Sequence, residues 1–196
     1  MTSYNEAEYL NIWKQLASDG SITDITIRYT LPGYFNRLKN MVQRDRHGEV
    51  VFCVIRPNGS IIVTTCNEYP SDIYRIPTGG IGHNEDIIMA VIREVKEELG
   101  LKVKIRSFGG LIRTCFEYDS EQVLFYSYIF ILDEVGGRLL EDASDDEISE
   151  AREVDLEGLS KIVESLRDIK GKWQDWGQFR YVTSNAVLQH LKNKCI

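Results

Sequence analysis

The stretch "GGIGHNEDIIMAVIREVKEELGL", Gly79 to Leu101, decides how the chain is read. Asn84 as a cap, Glu85 and Asp86 in the first turn and Gly100 at the stop predict a helix over 85–99. Ile88, Ile92, Val95 and Leu99 form its apolar stripe. Its last two turns carry Glu94, Glu97 and Glu98. Carboxylates at i, i+3 and i+4 share one face and repel, by a few tenths of a kcal/mol per pair. They also crowd the end where the helix dipole favours Lys and Arg. A run of charge at helical spacing is most often a solvated face, so the cluster alone does not say why the acids stand there.

Outward from this helix the pattern is mostly β. Short apolar runs at 49–56 and 60–69, joined by Pro57-Asn58-Gly59, predict a hairpin. Residues 73–80 read as a strand entering a glycine turn. Long strands follow over 102–118 and 121–135, then a solvated acidic loop over 140–150, and helices over about 155–167 and 181–193. Before the hairpin lie an amphipathic helix over 5–18, a strand at "SITDITIRYT", and a short helix or ordered loop at "LPGYFNRLKNMVQRDRHG". This order predicts an α/β class, a mixed sheet sandwiched between helices with extra helices at both termini. A division follows: an N-terminal extension over 1–45, and the main domain over 46–196. Tyr9 and Trp13 give the extension an aromatic face that must pack on the core or on a second copy in a homodimer.

Composition narrows the function. The 196 residues are 43% hydrophobic and 27% charged, an ordinary globular balance. A net charge of −7 leaves no broad basic field for a nucleic-acid polymer or an acidic membrane. A small anionic substrate remains open, because a divalent cation supplies local positive charge. Cys53, Cys66, Cys115 and Cys195 show no C-x-x-C spacing, so neither a zinc site nor a disulfide framework is predicted. No basic-then-apolar leader and no long apolar run appears, and a cytoplasmic location is the default expectation.

The glycine, the acids and the arginine are spaced as a set. Gly79, Glu85, Arg93-Glu94-Val95, Glu97-Glu98 and Gly100-Leu101 stand at the intervals G-x5-E-x7-R-E-U-x-E-E-x-G-U, with U aliphatic. Seven fixed identities at about 7% each give roughly a one in 10⁸ chance match per start site. The stretch resembles the Nudix box at every defined position. The resemblance implies the family's α/β/α sandwich, and metal-dependent water attack on a nucleoside diphosphate linked to another moiety. It makes Glu94, Glu97 and Glu98 ligands of Mg²⁺ or Mn²⁺, with the Thr78 carbonyl as a further ligand. Glu85 is then the partner of Arg93, and is structural, like Gly79 and Gly100. Physical chemistry supplies the reason: hard divalent ions prefer an oxygen cage, and they cancel the repulsion that strains the helix end. Arg93, one turn before Glu97, can hold a carboxylate in one rotamer. Gly79 and Gly80 would let the backbone turn tightly.

Beyond the box the resemblance thins. Family members recruit a distant loop glutamate as base or ligand; Glu147 and Glu150 are the candidates, and Glu150 is preferred as nearer the returning strand. A tyrosine 17 residues past the box accompanies dinucleoside polyphosphate hydrolases, and a proline at 15 accompanies ADP-ribose hydrolases. Those places hold Tyr118 and Phe116. Tyr118 is therefore either a substrate-stacking residue at the pocket rim or a packed strand-end aromatic. Trp173, Trp176, Phe179 and Tyr181 read as an anchor for the last helix, with base stacking as the other use. The substrate expected is a small nucleotide: a dinucleoside polyphosphate, a nucleoside diphosphate sugar or a nucleoside triphosphate. A non-catalytic nucleotide-binding or sensor module is the alternative.

Overall fold

The computed structural model describes residues 6–16, 20–44, 46, 48–82, 84–145 and 147–194, the side chains of 6–9 excepted. In chain order its elements are α1 (Glu6–Gln15), β1 (Ser21–Arg28), α2 (Pro32–Arg44), β2 (Gly48–Ile55), β3 (Ile61–Thr65), β4 (Thr78–Ile81) and α3 (Ile87–Glu94). A π-helical turn over Val95–Leu99 continues α3. Then come β5 (Leu101–Tyr118), β6 (Glu121–Gly137), β7 (Glu150–Val154), α4 (Leu156–Asp168), a 3₁₀ turn (Gly171–Trp173) and α5 (Gln174–Lys194).

Strand β2 explains the layering. Every one of its residues is buried. Successive side chains of a strand point to opposite faces, so an unbroken apolar run must be covered twice. Val50, Phe52 and Val54 join Ile87, Ala90 and Val91 of α3 and Ile12 of α1 on one side. Val51, Cys53 and Ile55 join Leu159 and Val163 of α4, and Val187, Leu188 and Leu191 of α5, on the other. The sheet between them runs β1-β5-β6-β2-β3-β7, with β4 paired to β2. β1 is parallel to β5 and β2 to β6, while the β5–β6, β2–β3, β3–β7 and β2–β4 pairs are antiparallel. The predicted α/β/α sandwich with a mixed sheet is the architecture found.

Boundaries differ where local chemistry was misread. Helix α3 starts at 87, not 85, because Asp86 is the cap, accepting from the Met89 amide, whereas Asn84 takes a left-handed φ of 61°. Its buried stripe runs through Ile87, Ala90 and Val91, with Ile88 and Ile92 only partly covered. The Gly79–Gly80 pair makes no turn: it lies inside β4, hydrogen-bonded to β2. The last helix, expected from about 181, already begins at Gln174.

The N-terminal residues extend the sheet. β1 pairs along its whole length with Ser21↔Gly110 through Arg28↔Glu117. Phe35 and Leu38 of α2 enter a third apolar cluster with Phe116, Phe125 and Phe179. α1 buries Ile12 and leaves Leu10 and Trp13 at 38% and 42% exposure, so its inward face is not the one the aromatic pattern suggested. Asn5, Ala17 and the Tyr9 side chain lie outside the described residues. No described helix is long and apolar enough to cross a membrane.

Candidate active site

The acids of the Gly79–Leu101 stretch converge around Arg93. Its Nε and Nη2 donate to the two oxygens of Glu85 at 2.6 and 2.8 Å, and its Nη1 donates to Glu94 at 2.9 Å and Glu97 at 2.8 Å. Nη2 also reaches the Gly80 carbonyl. Arg93 thereby ties α3 to β4 and fixes three carboxylates at once. The guanidinium holds Glu85 below the usual carboxylate range, aided by the Gly82 amide.

Gly79 has a steric reason. A Cβ there would overlap the Glu94 carboxyl group, so any side chain at this position would push Glu94 out of its place beside Arg93. At Gly80 the obstacle would be the Arg46 guanidinium. Gly100 ends the π turn at φ +72°, the left-handed conformation that favours glycine, and donates to the Lys96 carbonyl.

The π turn sets the acids at different depths. Glu94 and Glu98 are buried, at 8% and 6% exposure, while Glu97 is half-exposed. Burial pushes Glu94 up, and pushes Glu98 up to about 8 against the pull of Arg75. Glu98 Oε2 is buried and has no hydrogen-bond partner. Such an orphan acceptor costs stability until something satisfies it. Among the described residues no three acidic, histidine or cysteine side chains already converge on one point as a ready metal site. The donors themselves, carboxylates beside a buried Thr78, are of the oxygen type that Mg²⁺ and Mn²⁺ prefer, and the unsatisfied Glu98 oxygen fits such an ion.

Glu98 and Thr78 open onto a cleft of about 470 Å³. Its far wall is aromatic, formed by Tyr34, Tyr69, Trp173 and Trp176. Tyr69 packs on Trp176 at 4.4 Å between ring centroids, and Trp173 meets Tyr34, Tyr69 and Trp176 at 5.5–5.9 Å. Arg75 links the two ends, donating to Tyr69 Oη at 3.0 Å and Thr78 Oγ1 at 3.2 Å. The tryptophan cluster thus stands at the start of α5, as the anchor reading expected, and also lines the cleft. A helix start with two Trp and no apolar periodicity was the available signal.

Glu150 is not brought to the acids. It lies on β7, where Arg152 and Tyr74 hold its carboxyl low. Strand alternation, which a loop assignment hides, sends it there. Glu147 does line the cleft, and its charge acts on Glu98. Tyr118 ends β5 against Phe35, at 5.7 Å between rings, and does not line the cleft. The cleft faces α2 and α5 rather than the outer ends of β5 and β6.

The NUDIX domain family model matches residues 45–176. An ADP-ribose pyrophosphatase of Methanocaldococcus jannaschii is 29% identical over 121 residues, covering 62% of this chain and 69% of that protein. A NUDIX hydrolase structure from Nitrosomonas europaea shares 15% identity at a TM-score of 0.50, covering 70% of this chain and 90% of the other. A NUDIX-family hydrolase structure from Clostridium perfringens has 14% identity and a TM-score of 0.46, over 74% and 98% of the two chains.

Proposed function

The chain belongs to the Nudix family of hydrolases, and on that premise we propose that it cleaves the phosphoanhydride of a nucleoside diphosphate linked to a second moiety. One observation carries the reading: a single cleft is lined both by Glu98, with its unsatisfied carboxylate oxygen, and by four aromatic side chains. This lining suits a ligand with a flat base and a charged diphosphate. ADP-ribose is the first compound to test, on the strength of the M. jannaschii relative. Tyr118 gives no ground for preferring a dinucleoside polyphosphate, since it packs elsewhere.

Each part of the cleft has a task in this reading. Glu94, Glu97 and Glu98, with the Thr78 carbonyl, would hold Mg²⁺ or Mn²⁺. When bound, the cation neutralises phosphate oxygens and polarises water for attack. Arg93 keeps Glu94 and Glu97 oriented toward each other through its three-carboxylate grip. Glu147 takes the proton of the attacking water, a role assigned to it instead of Glu150 because it lines the cleft with Glu98. The aromatic wall stacks the base, which is worth about 1–3 kcal/mol per base, and positions the diphosphate against the acids.

The test is a panel of ADP-ribose, a diadenosine polyphosphate, a nucleoside diphosphate sugar and a nucleoside triphosphate, each with Mg²⁺ and with Mn²⁺. Release of a nucleoside monophosphate from at least one, abolished by a chelator, is the expected result. Intact compounds throughout, with measurable nucleotide binding, would turn the reading toward a sensor module.

A further inference from the structure

Most arginines of this chain are ion-paired. Arg28 meets Glu117, Arg56 meets Glu134 and Glu153, Arg113 meets Asp24, and Arg180 meets Glu49. Arg37, Arg46 and Arg75 differ: among the described residues none of them has a carboxylate within ion-pair distance. All three line the cleft. Arg75 is partly buried and donates to neutral acceptors, Tyr69 Oη, the Ile76 carbonyl and Thr78 Oγ1. Arg46 lies over Gly80, close enough for its charge to act on Glu94. Arg37 stands on α2 three residues after Tyr34, whose ring meets Trp173. The unpaired charges therefore run from the acid end of the cleft to its aromatic end.

A chain with 30 acidic and 23 basic residues has carboxylates in excess. Glu49, Glu68, Glu98 and Glu147 also line the cleft, yet among the described residues no carboxylate stands within ion-pair distance of Arg37, Arg46 or Arg75, which leaves these guanidinium groups open to an anion from outside. Guanidinium suits phosphate oxygens, which it can meet with two parallel N–H donors. We infer that Arg37, Arg46 and Arg75 form a receptor for the phosphates of a nucleotide that works without divalent metal and ranks ligands by phosphate number. The inference rests on reading the cleft as a nucleotide site. It does not require that site to be catalytic.

The experiment titrates ADP, AMP and adenosine into the full chain in the presence of a chelator, followed by calorimetry and by quenching of the cleft tryptophans. ADP should bind at least about tenfold more tightly than adenosine, with AMP between, and rising salt should weaken ADP most. Arg37→Gln and Arg46→Gln change exposed side chains, so they should leave the melting temperature unaltered while weakening ADP by about tenfold each, as expected for a lost charged hydrogen bond. Arg75→Lys, which keeps charge but loses the planar fork, should weaken ADP and leave adenosine unchanged. Equal affinity for ADP and adenosine in chelator would overturn the proposal, as would parent-like ADP binding by both glutamine variants. Metal-dependent hydrolysis with no ADP binding in chelator would sink this receptor and spare the catalytic reading. ADP binding through the arginines with no hydrolysis of any compound would do the reverse.

Discussion

Glu98 keeps a carboxylate oxygen buried with no donor beside it, and the cost grows whenever the group is charged. Its folded pKa, pushed up to about 8, stands above the ordinary glutamate value of about 4.3. The folded chain therefore binds more protons than the unfolded one between those values, and this group makes stability fall as pH rises through the window. The metal-free protein should lose melting temperature between about pH 5 and pH 8, and Glu98→Gln should flatten that slope. Mg²⁺ should stabilise the parent more at pH 8 than at pH 5. A variant with the parent's slope would remove Glu98 from the account. Under turnover conditions, Glu97→Gln and Glu98→Gln should each lower the rate by at least about a hundredfold, the scale of several kcal/mol of lost electrostatic stabilisation. Near-parent turnover in both would refute the ligand assignment.

Helix α2 and the start of α5 form the cleft wall together, and Asp175 fastens them. Its buried carboxylate accepts from the Thr30 and Leu31 amides at 3.0 and 2.8 Å and from Thr30 Oγ1 at 2.9 Å. Asp175→Asn turns one acceptor into a donor facing amides. It should cost about 2 kcal/mol of stability, the scale of a hydrogen bond to a charged group, and raise KM more than it lowers kcat. Equal losses in both constants would instead implicate Asp175 in the chemistry. Treating 1–45 as an extension of the main domain is our proposal, and removing it would bare the β5 edge and open this wall. A chain beginning near Arg46 should be less stable and prone to associate; parent-like stability and oligomeric state would contradict that. Why the acid end was legible and this end was not follows from periodicity. Glu94, Glu97 and Glu98 lie within five residues, at the end of α3 and in its π-helical continuation, so their neighbourhood follows from spacing while their different depths do not. The wall joins residues near 34, 69 and 175 through tertiary contacts, and no local pattern relates them. The π turn was equally hidden, because its hydrogen bonds depend on partners from another loop: the Glu97 carbonyl accepts from the Ser144 and Asp145 amides.

Across the whole molecule the net charge is −7, whereas the cleft lining sets four arginines, Arg37, Arg46, Arg75 and Arg180, against four glutamates, Glu49, Glu68, Glu98 and Glu147. Substrate choice then belongs to the cleft as a unit rather than to any one marker position. Trp173→Ala should raise KM for a nucleotide substrate by about tenfold through lost stacking. Tyr118→Ala should lower stability by loosening Phe35 and leave KM near the parent's. The opposite ranking of the two variants would restore Tyr118 to the site. The parallel pairing of β1 with β5 carries a consequence for the order of events in synthesis. Ser21 finds its partner only when Gly110 has been made, and Thr30 is fastened only when Asp175 has followed. The β1 segment, made before β5, is thus among the last to dock, since long-range strand pairing must wait for its partner. Translation must pass Trp176 before the cleft has its second wall, and a nascent chain halted before α5 would carry the acids of α3 without the aromatic lining that completes the cleft.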